Sequence, residues 1–252
     1  MTTQHQHRIL RFDGARNVRD LGGLPTLHGA TTRFGVIIRA DGLARLSEDD
    51  LTRLTALRLR TIIDLRYDEE RARAPDRVPA DNAPGFFHRG FNPQGSEVLF
   101  HAINIRGAGP EEAAALMCAN YARMPFEHIA EFRDVMHHII AADTAPHLIH
   151  CTSGKDRTGL LAAFLLLALE VSRDAVFDDY LLSNGDWQPL DVFTPKARRE
   201  TIAAVMAAPA EYLQSALDAI DERCGSFEEY LGQWLGFGRR EKDALEALML
   251  NR

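Results

Sequence analysis

His150-Cys151-Thr152-Ser153-Gly154-Lys155-Asp156-Arg157-Thr158-Gly159 holds one cysteine and one arginine with five residues between them, a glycine inside the gap and Thr-Gly behind it. The apolar pair Leu148-Ile149 leads in, and the apolar run Leu160 to Leu169 leads out. That order predicts a buried strand turning tightly into a buried helix. Such a turn leaves several backbone N–H groups unpaired and aimed at one point, where the helix dipole adds partial positive charge. The same environment favours a thiolate over a thiol. Arg157 closes the loop with a planar fork that matches two oxygens of a phosphate. A nucleophile and an anion cradle in one peptide point to phosphoryl transfer through sulfur.

Taken singly, these residues mean little. A lone cysteine before a helix is ordinarily a small buried hydrophobe, and a lone arginine in a first helical turn is ordinarily on the surface. Found together, with His150 ahead and glycines in register, they read as a functional loop. Cys151 is then the nucleophile, splitting hydrolysis into two steps through a thiophosphoryl intermediate. Arg157 follows the equatorial oxygens into the transition state. Thr158 has a hydroxyl to donate to the departing sulfur, its ordinary alternative being a local first-turn bond. Gly154 and Gly159 permit close backbone approach. His150 is read as an orienting group for the loop backbone. Thr152, Ser153, Gly154, Lys155 and Thr158 form the expected substrate-binding set.

Working outward, Phe34 to Arg39 and Thr61 to Leu65 read as strands. Between them Ser47-Glu48-Asp49-Asp50 has the form of a capping box, and Leu51, Leu54 and Leu57 recur at helical spacing. Strand–helix–strand alternation predicts an α/β fold, a mainly parallel central sheet flanked by helices. Residues 74–110 are rich in turn formers, with one strand expected near Gly85 to Arg89. Helices are expected from Pro110 to Arg123 and from Phe126 to Ala141. Everything after Ser172 reads as helical. Residues 1–11 read as a mobile tail, and 12–252 as one catalytic domain.

A chain of 252 residues, 46% hydrophobic and 26% charged, is ordinary for a globular protein with a sizeable core. The formal net charge of −7 argues against nucleic acid and acidic membranes as partners, so attraction for a phosphate ester must be local. The three cysteines, Cys118, Cys151 and Cys224, show no paired spacing, which argues against a disulfide framework. The polar N-terminus has no secretory h-region, and Leu160 to Leu169 is too short to span a bilayer. A cytoplasmic location is expected, with export by a route lacking a recognisable leader left open. There is no His-Glu-x-x-His, and His137 and His138 diverge around a helix, so no metal or other cofactor is expected.

The decapeptide resembles the signature of cysteine-dependent protein tyrosine phosphatases. Its Lys155-Asp156 pair before the arginine is similar to the bacterial branch found in mycobacteria and Listeria. Asn17-Val18-Arg19-Asp20-Leu21-Gly22-Gly23, Arg39-Ala40-Asp41-Gly42-Leu43, and Ile62-Ile63-Asp64-Leu65-Arg66 followed by Glu69 resemble further segments of that branch. So do Tyr180 to Asn184 and Gly225 to Leu231, and the likeness runs over residues 12–248. Ala40 departs from it, a serine being usual there. The resemblance implies a tyrosine-phosphatase-like fold and hydrolysis of phosphotyrosine, with phosphoserine, phosphothreonine and phosphoinositide monoesters as further candidates. Partners are then phosphorylated proteins or phosphoinositides, without integral membrane association.

Protonating the leaving oxygen requires an acid. The Trp-Pro-Asp tripeptide of many tyrosine phosphatases is absent here; the resemblance implies Asp156, with Asp64 and Asp81 as alternatives. Asp64 and Asp20 are equally suited to brace the loop by pairing with Arg66 or Arg19. Lys155, similar to the second cation in phosphoinositide phosphatase loops, is a candidate for a second phosphate. The stretch Trp187 to Met206 is a candidate lid, ordinary core packing being the other reading. The rivals are a phosphate-binding pseudoenzyme, a rhodanese-like sulfurtransferase and an arsenate reductase. Cys151 and Arg157 together oppose the first, the Arg-Thr-Gly ending the second, and the placing of Cys118 and Cys224 the third.

Overall fold

The structure is a computed structural model describing residues 6–185 and 192–251. Its strands are β1 (Arg19–Asp20), β2 (Thr31–Thr32), β3 (Ile37–Ala40), β4 (Thr61–Asp64), β5 (Gly85–His88), β6 (His147–His150) and β7 (Leu250–Asn251). Five of them form one sheet in the order β1-β3-β6-β4-β5. β3, β6, β4 and β5 run parallel, and only β1 is antiparallel, so the mainly parallel sheet stands as expected. β3, β4 and β6 are buried along their whole length, which is why they read as unbroken apolar runs rather than alternating ones. The two-residue period still sorts their side chains. Ile37, Ile63 and Ile149 enter the larger core, while Ile38, Ile62 and Leu148 enter a smaller one with Leu43, Leu46 and Leu54.

Register places Ala40, His150 and Asp64 side by side, so three strands end together at one edge of the sheet. Ligands of open α/β sheets bind beyond such carboxyl ends. From this edge β6 passes through residues 151–156 into α6 (Arg157–Ala168), almost every residue of which is buried. A helix apolar all round must be wrapped on all sides. The wrapping includes α4 (Pro110–Glu127), α5 (Ile129–Ile139), α7 (Arg173–Leu181) and α9 (Ala210–Cys224), and α8 (Arg199–Met206) packs against α4. On the other face lies α1 (Glu48–Ala56), whose Ser47–Asp50 capping box forms as the sequence requires.

Several expectations need adjusting. The tail is shorter than residues 1–11: Arg8 is fully buried, Ile9 bridges to Arg19, and Leu10 N–H donates to Val18 C=O. The loop-rich stretch 74–110 holds α3 (Ser96–His101), continued by a π-helical turn over Ala102–Arg106. The helical C-terminal half ends in β7, which pairs with β2; such non-local pairing leaves no local signal. Of the candidate lid, Trp187 and Leu190 lie outside the described residues, while Val205 and Met206 are buried. No helix among the described residues is long and apolar enough to cross a membrane.

Candidate active site

The loop after β6 is held by its carbonyls. His150 Nδ1 lies 3.2 Å from Cys151 O, and Gly42 N–H donates to Thr152 O at 3.2 Å. Asn17 Nδ2 donates to Ser153 O and Gly154 O at 3.4 and 3.0 Å, and Arg39 Nη2 to Gly154 O at 2.7 Å. In a planar trans peptide the N–H points opposite to the C=O. Anchoring four consecutive carbonyls outward therefore turns the N–H groups of Thr152, Ser153, Gly154 and Lys155 inward. None of these amides meets an acceptor among the described residues. Gly154 makes the turn possible. Its φ is +64°, and an added Cβ would lie 2.3 Å from Ala40 O and 2.8 Å from Asp41 N.

Beneath the loop sits a charge cluster that explains the Asn17–Gly23 and Arg39 segments. Arg39 Nη1 donates to Asp179 Oδ2 at 2.7 Å and Arg19 Nε to Asp179 Oδ1 at 3.0 Å, while Arg8 reaches the same carboxylate from the N-terminus. Arg19 also donates to Asn17 Oδ1, fixing the amide that grips the loop. Burial and the neighbouring Arg39 bring Arg19 down to about 10. Burial works to raise the Asp179 carboxyl, but the three guanidinium groups hold it far below the usual range. Arg19 thus pairs with Asp179 and not with Asp20, which instead accepts the Gly22 and Gly35 N–H groups at 2.7 Å each.

Cys151 is 1% exposed and Arg157 7% exposed, and all three cysteines are free. Glu70, on α2 (Asp68–Arg73), clamps the arginine. Nη1 donates to Glu70 Oε2 at 2.6 Å and Nη2 to Oε1 at 2.7 Å, with Leu65 O and Phe91 O also on Nη1 at 3.0 and 3.1 Å. Thr152 Oγ1 donates to the same carboxylate and accepts from Arg157 Nη2 at 3.3 Å. Burial opposes the Glu70 charge, yet the guanidinium holds its carboxyl below the usual range. Burial likewise opposes the Arg157 charge, but the bond to Glu70 outweighs it and keeps the guanidinium firmly protonated. Glu69, quoted only as part of a resembling segment, is exposed; helical phase turns its neighbour Glu70, which no motif singled out, to the site.

The remaining candidates fall out as follows. Asp156 Oδ1 accepts from Tyr121 OH at 2.7 Å and lies 3.0 Å from Lys155 Nζ. Asp64 is fully buried, with Arg66 Nε and Nη2 on its two oxygens at 2.9 and 2.8 Å; burial is outweighed by these bonds, and its carboxyl stays low. It braces rather than donates. Asp81 is exposed on the loop before β5, whose first residue pairs with Thr61 at the opposite sheet edge from Cys151. Thr158 Oγ1 is buried with no partner among the described residues. Lys155 corrects its expectation. It is 3% exposed, and Nζ donates to Val205 O and Ala207 O at 2.7 and 2.9 Å, at the C-terminal end of α8, where carbonyls attract a cation. It therefore does not face a second phosphate. His150 Nε2, Asp64 and Asp76 come together at metal-binding separations, and Arg66 Nη2 donates to both carboxylates, at 2.8 Å to Asp64 Oδ2 and 2.7 Å to Asp76 Oδ2.

The chain that carries this arrangement of cysteine, inward amides and braced arginine is similar to known phosphatases. The family model described as "Tyrosine phosphatase family" matches residues 10–251, and the chain belongs to that family of phosphoric monoester hydrolases. It is 34% identical over 233 residues to a protein of Cupriavidus necator assigned as a tyrosine-protein phosphatase, covering 88% of this chain and 82% of that one. It is 30% identical over 267 residues to the triple specificity protein phosphatase PtpB of Mycobacterium tuberculosis, covering 88% and 92% respectively. The solved structure of P. aeruginosa TpbA aligns with 15% identity and a TM-score of 0.36, over 74% of this chain and 89% of that one.

Proposed function

We propose that the chain hydrolyses phosphotyrosine monoesters through a cysteinyl-phosphate intermediate on Cys151. The observation that carries this reading is the loop itself: four amides turned inward by outward-anchored carbonyls, closed by Arg157, around a buried cysteine. The thiolate attacks phosphorus as the ester P–O bond breaks, and Asp156 gives its proton to the departing oxygen. Arg157 and the amides carry the equatorial charge. In the second step Asp156 takes a proton from water, the hydroxide oxygen bonds to phosphorus, and the S–P bond breaks. The unpartnered Thr158 hydroxyl is then available to the leaving sulfur.

Phosphoserine and phosphothreonine join the substrate class on the likeness to PtpB, whose name assigns it triple specificity. Phosphoinositides lose their main support, because Lys155 is spent on Val205, Ala207 and Asp156. Those same bonds tie the loop to the C-terminal end of α8. The test is phosphate release from p-nitrophenyl phosphate by wild type and by Cys151→Ser. The reading expects release by the first and none by the second; release by the serine variant would remove the covalent route.

A further inference from the structure

Asp156 occupies the N-cap of α6, where an aspartate ordinarily accepts the N–H groups of the second or third helical residue. It makes no such bond. Its Oδ1 is drawn aside instead, by Tyr121 OH at 2.7 Å and Lys155 Nζ at 3.0 Å. Tyr121 is fully buried on α4, and its oxygen lies 2.7 Å from Tyr180 OH on α7. Since the Tyr121 hydrogen goes to the carboxylate, the Tyr180 hydroxyl donates to Tyr121. Two phenols in series thus secure one oxygen of Asp156, and no described group binds the other. Burial and the Asp156 charge both keep Tyr121 protonated, as a donor must be.

This geometry has two consequences. A carboxylate free to cap its own helix would turn its oxygens to the Thr158 and Gly159 N–H groups and away from the leaving-group oxygen. A carboxylate anchored by Oδ1 keeps Oδ2 for a proton. We propose that Tyr121 is a positioning residue, which holds the Asp156 carboxylate off the α6 N-terminus and presents Oδ2 to the leaving-group oxygen. The inference rests on Asp156 being the acid, as argued above.

The test compares kcat/KM for phenyl phosphate, whose leaving oxygen needs a proton, with that for p-nitrophenyl phosphate, whose leaving oxygen needs it far less. Taking the ratio on one sample cancels any loss of folded enzyme. Losing one charge-assisted bond, Tyr121→Phe is expected to depress phenyl phosphate about tenfold more than the nitro ester. Asp156→Asn is expected to widen the gap further, and adding Tyr121→Phe to it is expected to change the ratio no more. An unchanged ratio in Tyr121→Phe, beside a widened one in Asp156→Asn, would overturn the positioning role alone. An unchanged ratio in Asp156→Asn would overturn the acid assignment, and the positioning role with it.

Discussion

Glu70→Gln tests the brace on Arg157 with almost no change of shape. The carboxylate makes two charge-assisted bonds to the guanidinium, at 2.6 and 2.7 Å, and accepts the Thr152 hydroxyl as well. A carboxamide keeps one accepting oxygen and turns an NH2 toward the arginine. One bond between two charges, worth about 1.5–3 kcal/mol, disappears, and the other, now charged on the arginine alone, weakens by about 1 kcal/mol. The sum is roughly 3 kcal/mol. Leu65 O and Phe91 O still hold Nη1, so the arginine stays buried but loses its fixed orientation. A misdirected fork costs transition-state contacts, and 3 kcal/mol corresponds to about a 100-fold drop in kcat/KM. Glu69→Gln, on the exposed side of the same turn, is expected to stay within about 0.5 kcal/mol of wild type. Steady-state kinetics on p-nitrophenyl phosphate, with urea unfolding of each variant, make the comparison. Equal activity of Glu70→Gln and wild type would refute the brace.

Three further outcomes are expected. Gly154→Ala forces a left-handed φ at a cost of about 1–2 kcal/mol and drives its Cβ into Ala40 O at 2.3 Å, so vanadate affinity measured by calorimetry falls below detection. Asp179→Asn leaves Arg8, Arg19 and Arg39 buried with no acid between them, and urea denaturation should show a loss of at least about 3–5 kcal/mol. His147 is fully buried and held by burial at about 4, against an ordinary 6.5. Both states are neutral above 6.5. As pH falls to about 4 only the unfolded chain takes the proton, so roughly 3 kcal/mol of stability drains away over that window. Thermal melts of His147→Gln should lack that acid slope.

The parts of this fold written in the sequence are those set by short-range rules. β3, β4 and β6 show as apolar runs because both their faces are covered, and Ser47 with Asp50 announces α1 through a bond within one turn. The catalytic loop is equally local: Cys151, Gly154 and Arg157 lie within one decapeptide. What the sequence withheld was distant in the chain. Asp179 lies 140 residues beyond Arg39, and Tyr121 35 residues before Asp156, so no spacing rule joins them. Lys155 misled because composition gives a side chain its charge but not its direction; the C-terminal carbonyls of α8 decided that. Arg8 reads as part of a tail because a lone arginine in a polar segment carries no sign of a buried partner.

The most direct test of the account is the fate of the phosphoryl group in the first turnover. Enzyme mixed with excess p-nitrophenyl phosphate and quenched in acid within milliseconds is digested and its peptides weighed. The peptide holding Cys151 should gain one phosphoryl group, and should gain none in Cys151→Ser. Active enzyme that releases p-nitrophenol in a burst while Cys151 stays unmodified would contradict the claim that this sulfur carries the phosphate.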